Sequence, residues 1–224
     1  MSKVSRGEQG ELKVKNILSG IQEYHHLFND VTIKNEKSEM THQVDHILVN
    51  SHGVIVIETK NFYETIHYDP KTKAWSKRVK GKDVRIKSPV SQNKSHVKNL
   101  KKILKQKVDI TSVVVFAKNN APYIEDENVI NLNDLKDFLE TYAFEHTYDT
   151  NEIDQIAKII KDNIVDVSRD EHVENIRLYK MVKEEQETMK KYTLENGKCP
   201  MCEKPIYHKK NSYYCKNCGY NFKL

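Results

Sequence analysis

Residues 43 to 60 place the tightest constraint on what this chain can fold into. Gln43-Val44-Asp45-His46-Ile47-Leu48-Val49-Asn50 and Val54-Ile55-Val56-Ile57-Glu58-Thr59-Lys60 are β-branched, apolar runs flanking Ser51-His52-Gly53. That pattern predicts two adjacent strands joined by a tight turn. Side chains alternate faces along a strand, so Asp45 falls with Ile47 and Val49, and Glu58 and Lys60 fall with Val54 and Val56. Two carboxylates and a lysine therefore sit among residues that require burial. An unpaired buried charge costs several kcal/mol, so core packing does not account for them. A bound cation would compensate the carboxylates.

The rest of the chain supplies layers for this pair to pack against. Ser5-Arg6-Gly7-Glu8 has capping-box form and predicts a helix to about residue 21, with Glu11, Val14, Leu18 and Ile21 on one face. Glu8 is explained by the cap, whereas Glu11 points toward the core and is the candidate functional acid. Residues 27 to 34 predict a first strand, followed by a polar loop. Thr65 to Tyr68 and the segment around Trp75 predict strands of a meander, with Trp75 as a core or sheet-face residue. Ser88-Pro89 opens a helix that buries Val97, Leu100, Ile103 and Leu104 and carries Gln92 in its first turn. Thr111 to Phe116 reads as a strand buried on both faces, residues 129 to 132 as another strand, and residues 134 to 142 as a helix. Strands interleaved with helices make residues 1 to 145 an α/β domain. A helix over 150 to 164 presents Ile153, Ile156, Ile160 and Ile164. A capping box at Ser168 to Glu171 then opens a charged helix with a thin stripe of Val173, Ile176 and Met189. Residues 146 to 196 are read as a helical connector, with a dimerisation helix as the alternative, so both monomer and homodimer stay open.

The net charge of +5 is unevenly spread. Residues 71 to 107 carry 14 basic side chains against one acidic, and residues 197 to 224 carry 6 against one. Such blocks suit a polyanion, or else form a solvated lysine-rich face. Lys94, Lys98, Lys101 and Lys102, with Lys209, Lys210, Tyr213 and Tyr214 of the tail, are the candidate nucleic-acid contacts, cations for phosphates and rings for bases. Some of the tail's rings can equally form its own small core. No apolar run reaches membrane-spanning length and the N-terminus lacks a hydrophobic leader, so a cytoplasmic protein with no membrane partner is expected.

All four cysteines lie in Cys199-Pro200-Met201-Cys202 and Cys215-Lys216-Asn217-Cys218, with twelve residues between the pairs. This spacing suits tetrahedral thiolate ligation of Zn2+, which would supply the folding free energy that so short a piece lacks. Two disulfides are the alternative, disfavoured in a reducing cytosol. Four thiolates close the coordination sphere, so such a zinc is structural.

Glu11, Asp45, Glu58, Lys60 and Gln92 combine polarity on buried faces with convergent placement. Carboxylate oxygens from Asp45 and Glu58 suit Mg2+ or Mn2+, and a nearby lysine can orient a water or offset charge on a phosphate, which points to phosphodiester hydrolysis. Asp45, twelve residues and then Glu58-Thr59-Lys60 resemble the PD-(D/E)xK nuclease superfamily. Gly7 to Glu11, Gln43 to His46, Ile57 to Asn61 and Pro89 to Asn93 resemble, in order, its nuclease-related domain, NERD, over roughly residues 5 to 120. The resemblance implies a restriction-endonuclease-like fold with a four-stranded mixed sheet flanked by helices. It implies Asp45 and Glu58 as metal ligands, Lys60 as catalytic lysine, Glu11 as accessory acid and Gln92 as an orienting residue. Two departures are Glu64, where a small turn residue is expected, and Val44, where the superfamily has proline. Residues 197 to 224 resemble a zinc ribbon or the four-cysteine zinc finger of topoisomerases. The expected activity is Mg2+- or Mn2+-dependent endonuclease cleavage of DNA, with RNA open as a substrate. The alternatives are an inactive nucleic-acid-binding protein that keeps the fold and an adaptor acting through the acidic residues 108 to 196.

Overall fold

The computed structural model describes residues 4–34, 41–105, 107–125, 127–142, 146–167 and 169–224. The predicted polar loop before Thr41 and the capping residue Ser168 lie outside them. In order the elements are α1 (Arg6–Leu18), β1 (His26–Lys34), β2 (Thr41–Asn50), β3 (Gly53–Lys60), β4 (Ile66–Asp69), β5 (Ala74–Val79), β6 (Lys82–Ile86), α2 (Pro89–Ile103), β7 (Ile110–Phe116), β8 (Val129–Asn131), α3 (Leu135–Thr141), α4 (Thr150–Asp162), α5 (Arg169–Asn196), β9 (Tyr207–Lys209), β10 (Ser212–Tyr214) and β11 (Asn221–Lys223). They fall into two compact units, 1–167 and 168–224.

In the first unit the β-branched runs pair as their alternation requires. The central sheet has the order β1-β2-β3-β7-β8. Its first three strands are antiparallel, and β7 and β8 join in parallel. The sheet is therefore mixed and has five strands rather than four, because β8 pairs outside β7 through only three residues. One face, with Ile47, Val49, Val54 and Val56, packs against Leu100, Ile103 and Leu104 beside α4's Ile153, Ile156 and Ile160. On the other face Leu48, Ile55, Ile57, Val113 and Val115 pack against Val14, Leu18 and Leu135. A fully buried aliphatic side chain contributes roughly 1.5–3 kcal/mol, so these two layers carry the stability of the unit.

Strands β4, β5 and β6 form a separate antiparallel meander. It is anchored by Trp75, whose ring stacks on Phe116 with centroids 6.2 Å apart. Most of β6 is exposed and charged, so it carries no apolar alternation by which to predict it.

The Ser5–Glu8 capping box forms in both directions at the start of α1. That helix ends at Leu18, three residues before its predicted end, where the backbone turns through Ser19 and Gly20. Gly10 is where α1 crosses the end of β3: a Cβ there would lie 2.7 Å from the Asn61 Cβ. Asn61 is held in place by its bond to the Arg6 carbonyl, at 2.6 Å. Gly10→Ala is therefore expected to destabilise by about 1–2 kcal/mol, strain outweighing the gain in helix propensity. A lowered urea midpoint with unchanged slope is the expected readout.

In the second unit α5 leads into a small sheet of order β11-β10-β9. Thr193 in its last turns is buried, while Val173, Leu178, Met181 and Val182 are exposed. Among the described residues no helix is long and apolar enough to cross a membrane.

Candidate active site and cysteine centre

The β2–β3 ladder pairs Ile47 with Val56 and ends at His46 with Ile57, with Asp45 and Glu58 the next residues of the two strands. There the backbone pairing stops and a side chain takes over: Asp45 Oδ2 accepts the Thr59 N–H at 2.7 Å. Glu58 is only 2% exposed. Its Oε1 accepts from Lys60 Nζ at 2.5 Å, and Lys60 Nζ also donates to Gln92 Oε1 of α2 at 3.2 Å. His96 Nε2 approaches Glu58 Oε2 at 3.6 Å, a close ionic contact but too long for a hydrogen bond.

The two carboxylates are driven in opposite directions. Burial first, then the charge of Glu58 and more weakly that of Glu11, push Asp45 up to about 8, against the Thr59 amide and Lys60. Burial also works to raise Glu58, but His96 and Lys60 together outweigh it and hold the carboxyl below its ordinary range.

These residues fit a hard divalent cation. Glu58 Oε2 is buried without a hydrogen-bond partner, and Asp45 is disfavoured as an anion by burial first and then by Glu58, two conditions that a cation relieves together. Among the described residues, no three acidic or imidazole groups here bring ligand atoms within 4.8 Å of one another. Asp45 and Glu58 would therefore supply two carboxylates to such an ion, with water in its remaining positions, as Mg2+ prefers.

His96 is the site residue that a stripe of aliphatic residues alone misses. Of the predicted stripe, Leu100, Ile103 and Leu104 are buried and Val97 is partly so, and Pro89, Asn93, His96 and Asn99 are buried beside them. Asn93 Nδ2 ties the helix to the sheet through Val56 O at 2.9 Å and Val113 O at 3.0 Å. The available signal is polar residues at spacings of three and four, in phase with Leu100. Buried polar atoms of His96 and Asn99 have no hydrogen-bond partners, so this face continues the polar interior around Glu58.

The candidate nucleic-acid contacts are less uniform. Lys94 is ion-paired with Glu127, whereas Lys98 and Lys101 are exposed and Lys102 is partly buried. Lys209 and Lys210 are exposed in the second unit. Tyr213 stacks on both His208 and Phe222, at 5.5 and 4.9 Å, so it contributes to a small aromatic core. Tyr214 stacks on Tyr207, and Lys216 Nζ lies 4.3 Å from the Tyr207 ring centre. Glu64 is accommodated in its turn by Lys77 at 2.9 Å and the Tyr63 N–H at 3.1 Å, and the Lys77 bond holds its carboxyl below the ordinary range.

The four cysteines draw together. Sγ–Sγ distances are 3.5 Å for Cys199–Cys218 and 3.6 Å for Cys202–Cys215, and one sulfur from each lies within 4.8 Å of all the others. These separations are far longer than a disulfide and near the edge of about 3.8 Å for thiolates 2.3 Å from a tetrahedral ion. The residue after the second cysteine of each pair, Glu203 or Gly219, has positive φ, which lets both pairs turn in the same way. The Lys204 backbone hydrogen bond leads in pulling Cys202 down to about 6. Against the Tyr220 backbone bond, burial and neighbouring sulfurs push Cys218 up to about 12. These cysteines can hold a metal ion.

A mixed sheet with helices on both faces and a carboxylate–lysine cluster at the end of its central hairpin defines a nuclease-like α/β fold. Residues 6–117 match the nuclease-related domain, NERD, and the chain belongs to that family. The matched span contains Glu11, Asp45, Glu58, Lys60, Gln92 and His96 and ends before the cysteines. An uncharacterized protein of Bacillus anthracis is 28% identical over 144 residues, covering 62% of this chain and 68% of the relative. No solved structure matches.

Proposed function

We propose that this protein is a divalent-cation-dependent nuclease of the PD-(D/E)xK type, cleaving phosphodiester bonds in DNA as an endonuclease. The observation that carries the reading is Lys60 Nζ bridging Glu58 and Gln92 beside Asp45. Asp45 and Glu58 would hold Mg2+ or Mn2+. A bound cation supplies charge neutralisation at the scissile phosphate and acidifies a water. Lys60 is placed to orient the attacking water and to offset charge on the phosphoryl oxygens, with Gln92 fixing its ammonium group. His96 steadies the second Glu58 oxygen, and Glu11 acts as accessory acid. In this reading residues 1 to 145 are the nuclease domain and residues 146 to 196 a connector. Residues 197 to 224 are a ribbon holding structural Zn2+. Lys94, Lys98, Lys101, Lys102, Lys209, Lys210, Tyr213 and Tyr214 belong to the substrate surface, and the protein acts in the cytoplasm. A non-cleaving relative would have no use for a lysine poised between Glu58 and Gln92. Cation-dependent cleavage by the wild type, absent from Lys60→Ala, tests the reading.

A pH dependence follows from Asp45. Its carboxyl titrates near 8 in the cation-free fold, against 3.8 when unperturbed. The raised value means that its stabilising contribution is complete below the unperturbed value and is lost as pH rises toward 8. Cation binding requires the carboxylate, so Mn2+ affinity should climb with pH by up to about tenfold per unit and level off near pH 8. Calorimetric titration of Mn2+ from pH 6 to 9 checks this, and a flat affinity profile would contradict it.

A further inference from the structure

We infer that Arg6, Tyr63 and Lys118 form a phosphate clamp for the nucleic-acid strand beside the cleavage site. The inference rests on the nuclease reading above and adds a substrate contact to it. Three separate segments meet at one exposed ring: the first turn of α1, the loop after β3 and the loop after β7. The Arg6 guanidinium carbon lies 5.0 Å and Lys118 Nζ 3.9 Å from the Tyr63 ring centre. Tyr63 is 55% exposed.

Cation–π attraction at an exposed ring is modest, and two cations drawn to one ring repel each other. Neither Arg6 nor Lys118 forms an ion pair among the described residues. Glu64 is ion-paired with Lys77, and Glu8 caps the Ser5 amide. A pair of under-compensated cations held on a ring is suited to an anion. The guanidinium fork matches phosphate oxygens, and the ring keeps both long side chains ordered before the ligand arrives.

Its location ties this pair of charges to the reaction centre. Asn61 Nδ2 donates to the Arg6 carbonyl at 2.6 Å, and the Ala117 N–H donates to the Lys60 carbonyl at 2.8 Å. Gly10 permits the close approach of α1 to Asn61. The Arg6 backbone is thereby tied to Asn61, and Ala117, the residue before Lys118, to Lys60. A strand with its scissile phosphate at Lys60 would present a neighbouring phosphate to Arg6 and Lys118.

The test is fluorescence anisotropy of labelled duplex DNA in EDTA, across a KCl series, with thermal melting to verify folding. Arg6→Gln/Lys118→Gln should weaken binding about tenfold at 0.1 M salt and make the log–log salt slope shallower by roughly 1–2. Lys118→Gln alone, which leaves α1 untouched, should lose about threefold. Tyr63→Phe should bind within twofold of wild type, and Tyr63→Leu should weaken binding about threefold, since the ring rather than the hydroxyl orders the cations. Unchanged affinity and slope in the double variant would overturn the clamp, as would equal losses in Tyr63→Phe and Tyr63→Leu. Because binding is read without cleavage, the two readings separate. A wild type that binds through these residues but never cleaves sinks the nuclease alone, whereas a cleaving wild type with a normally binding double variant sinks the clamp alone.

Discussion

Lys60→Ala lowers cation-dependent DNA cleavage by about a thousandfold while leaving DNA affinity within a few-fold of wild type. Magnitudes of this order accompany loss of one group aimed at transition-state charge or at the reacting water. Lys60 makes two bonds that nothing else in the site replaces, to Glu58 at 2.5 Å and to Gln92 at 3.2 Å. Its removal leaves the buried Glu58 carboxylate without its lysine partner, so the Glu58 carboxyl should rise and cation affinity should change together with rate. Lys60→Arg should fail to restore activity, because a planar fork cannot replace a compact ammonium between two acceptors. His96→Ala should give a smaller loss, about 10–100-fold, recovered in part at high cation concentration because its effect passes through Glu58. Single-turnover cleavage beside anisotropy separates these outcomes. A Lys60→Ala protein that cleaves at the wild-type rate would remove Lys60 from the mechanism.

Removing the metal from the cysteine centre unfolds residues 197–224 and leaves the first unit intact. The buried apolar content of this segment is small: Phe222 and the half-buried rings packed on it, beside Cys199 and Cys215. Strands of three residues add little on their own. A structural zinc site contributes roughly 10–16 kcal/mol in short peptides, far more than these contacts, so metal binding and folding of the ribbon are one event. Cys199→Ser, or a strong chelator, should expose residues 197–224 to trypsin while the unit 1–167 resists, with loss of any metal ion the cysteines hold. Persistent protection after complete metal removal would show that the aromatic stack suffices.

Much of the architecture is legible because it rests on short-range periodicity. Alternation along residues 43–60 requires a pair of strands with Asp45 and Glu58 on one face, and the ladder from His46–Ile57 places them side by side. The cysteine cluster is legible from spacing alone. His96 is not, because its polarity hides it from a stripe drawn through aliphatic residues alone, although its spacing of four and seven from Leu100 and Ile103 puts it on the same inward face. The strand at β8 is legible as the short run 129–132, but β6 does not advertise itself, being an exposed, charged edge. For Tyr213, composition leaves stacking on bases and stacking on neighbours equally open, and contact with His208 and Phe222 is a tertiary fact. The convergence of Arg6, Tyr63 and Lys118 spans more than a hundred residues of chain and has no local signature.

The central claim is that Asp45, Glu58 and Lys60 cut nucleic acid with a divalent cation. Its most direct measurement is incubation of closed-circular duplex DNA with the full chain over a series of Mg2+ and Mn2+ concentrations, with EDTA and Lys60→Ala alongside. The expected result is conversion to nicked and linear DNA by the wild type only when cation is present, and none by Lys60→Ala. Wild-type protein that binds the circle yet leaves it closed at every Mg2+ and Mn2+ concentration, and leaves linear and single-stranded DNA uncut as well, would contradict the claim.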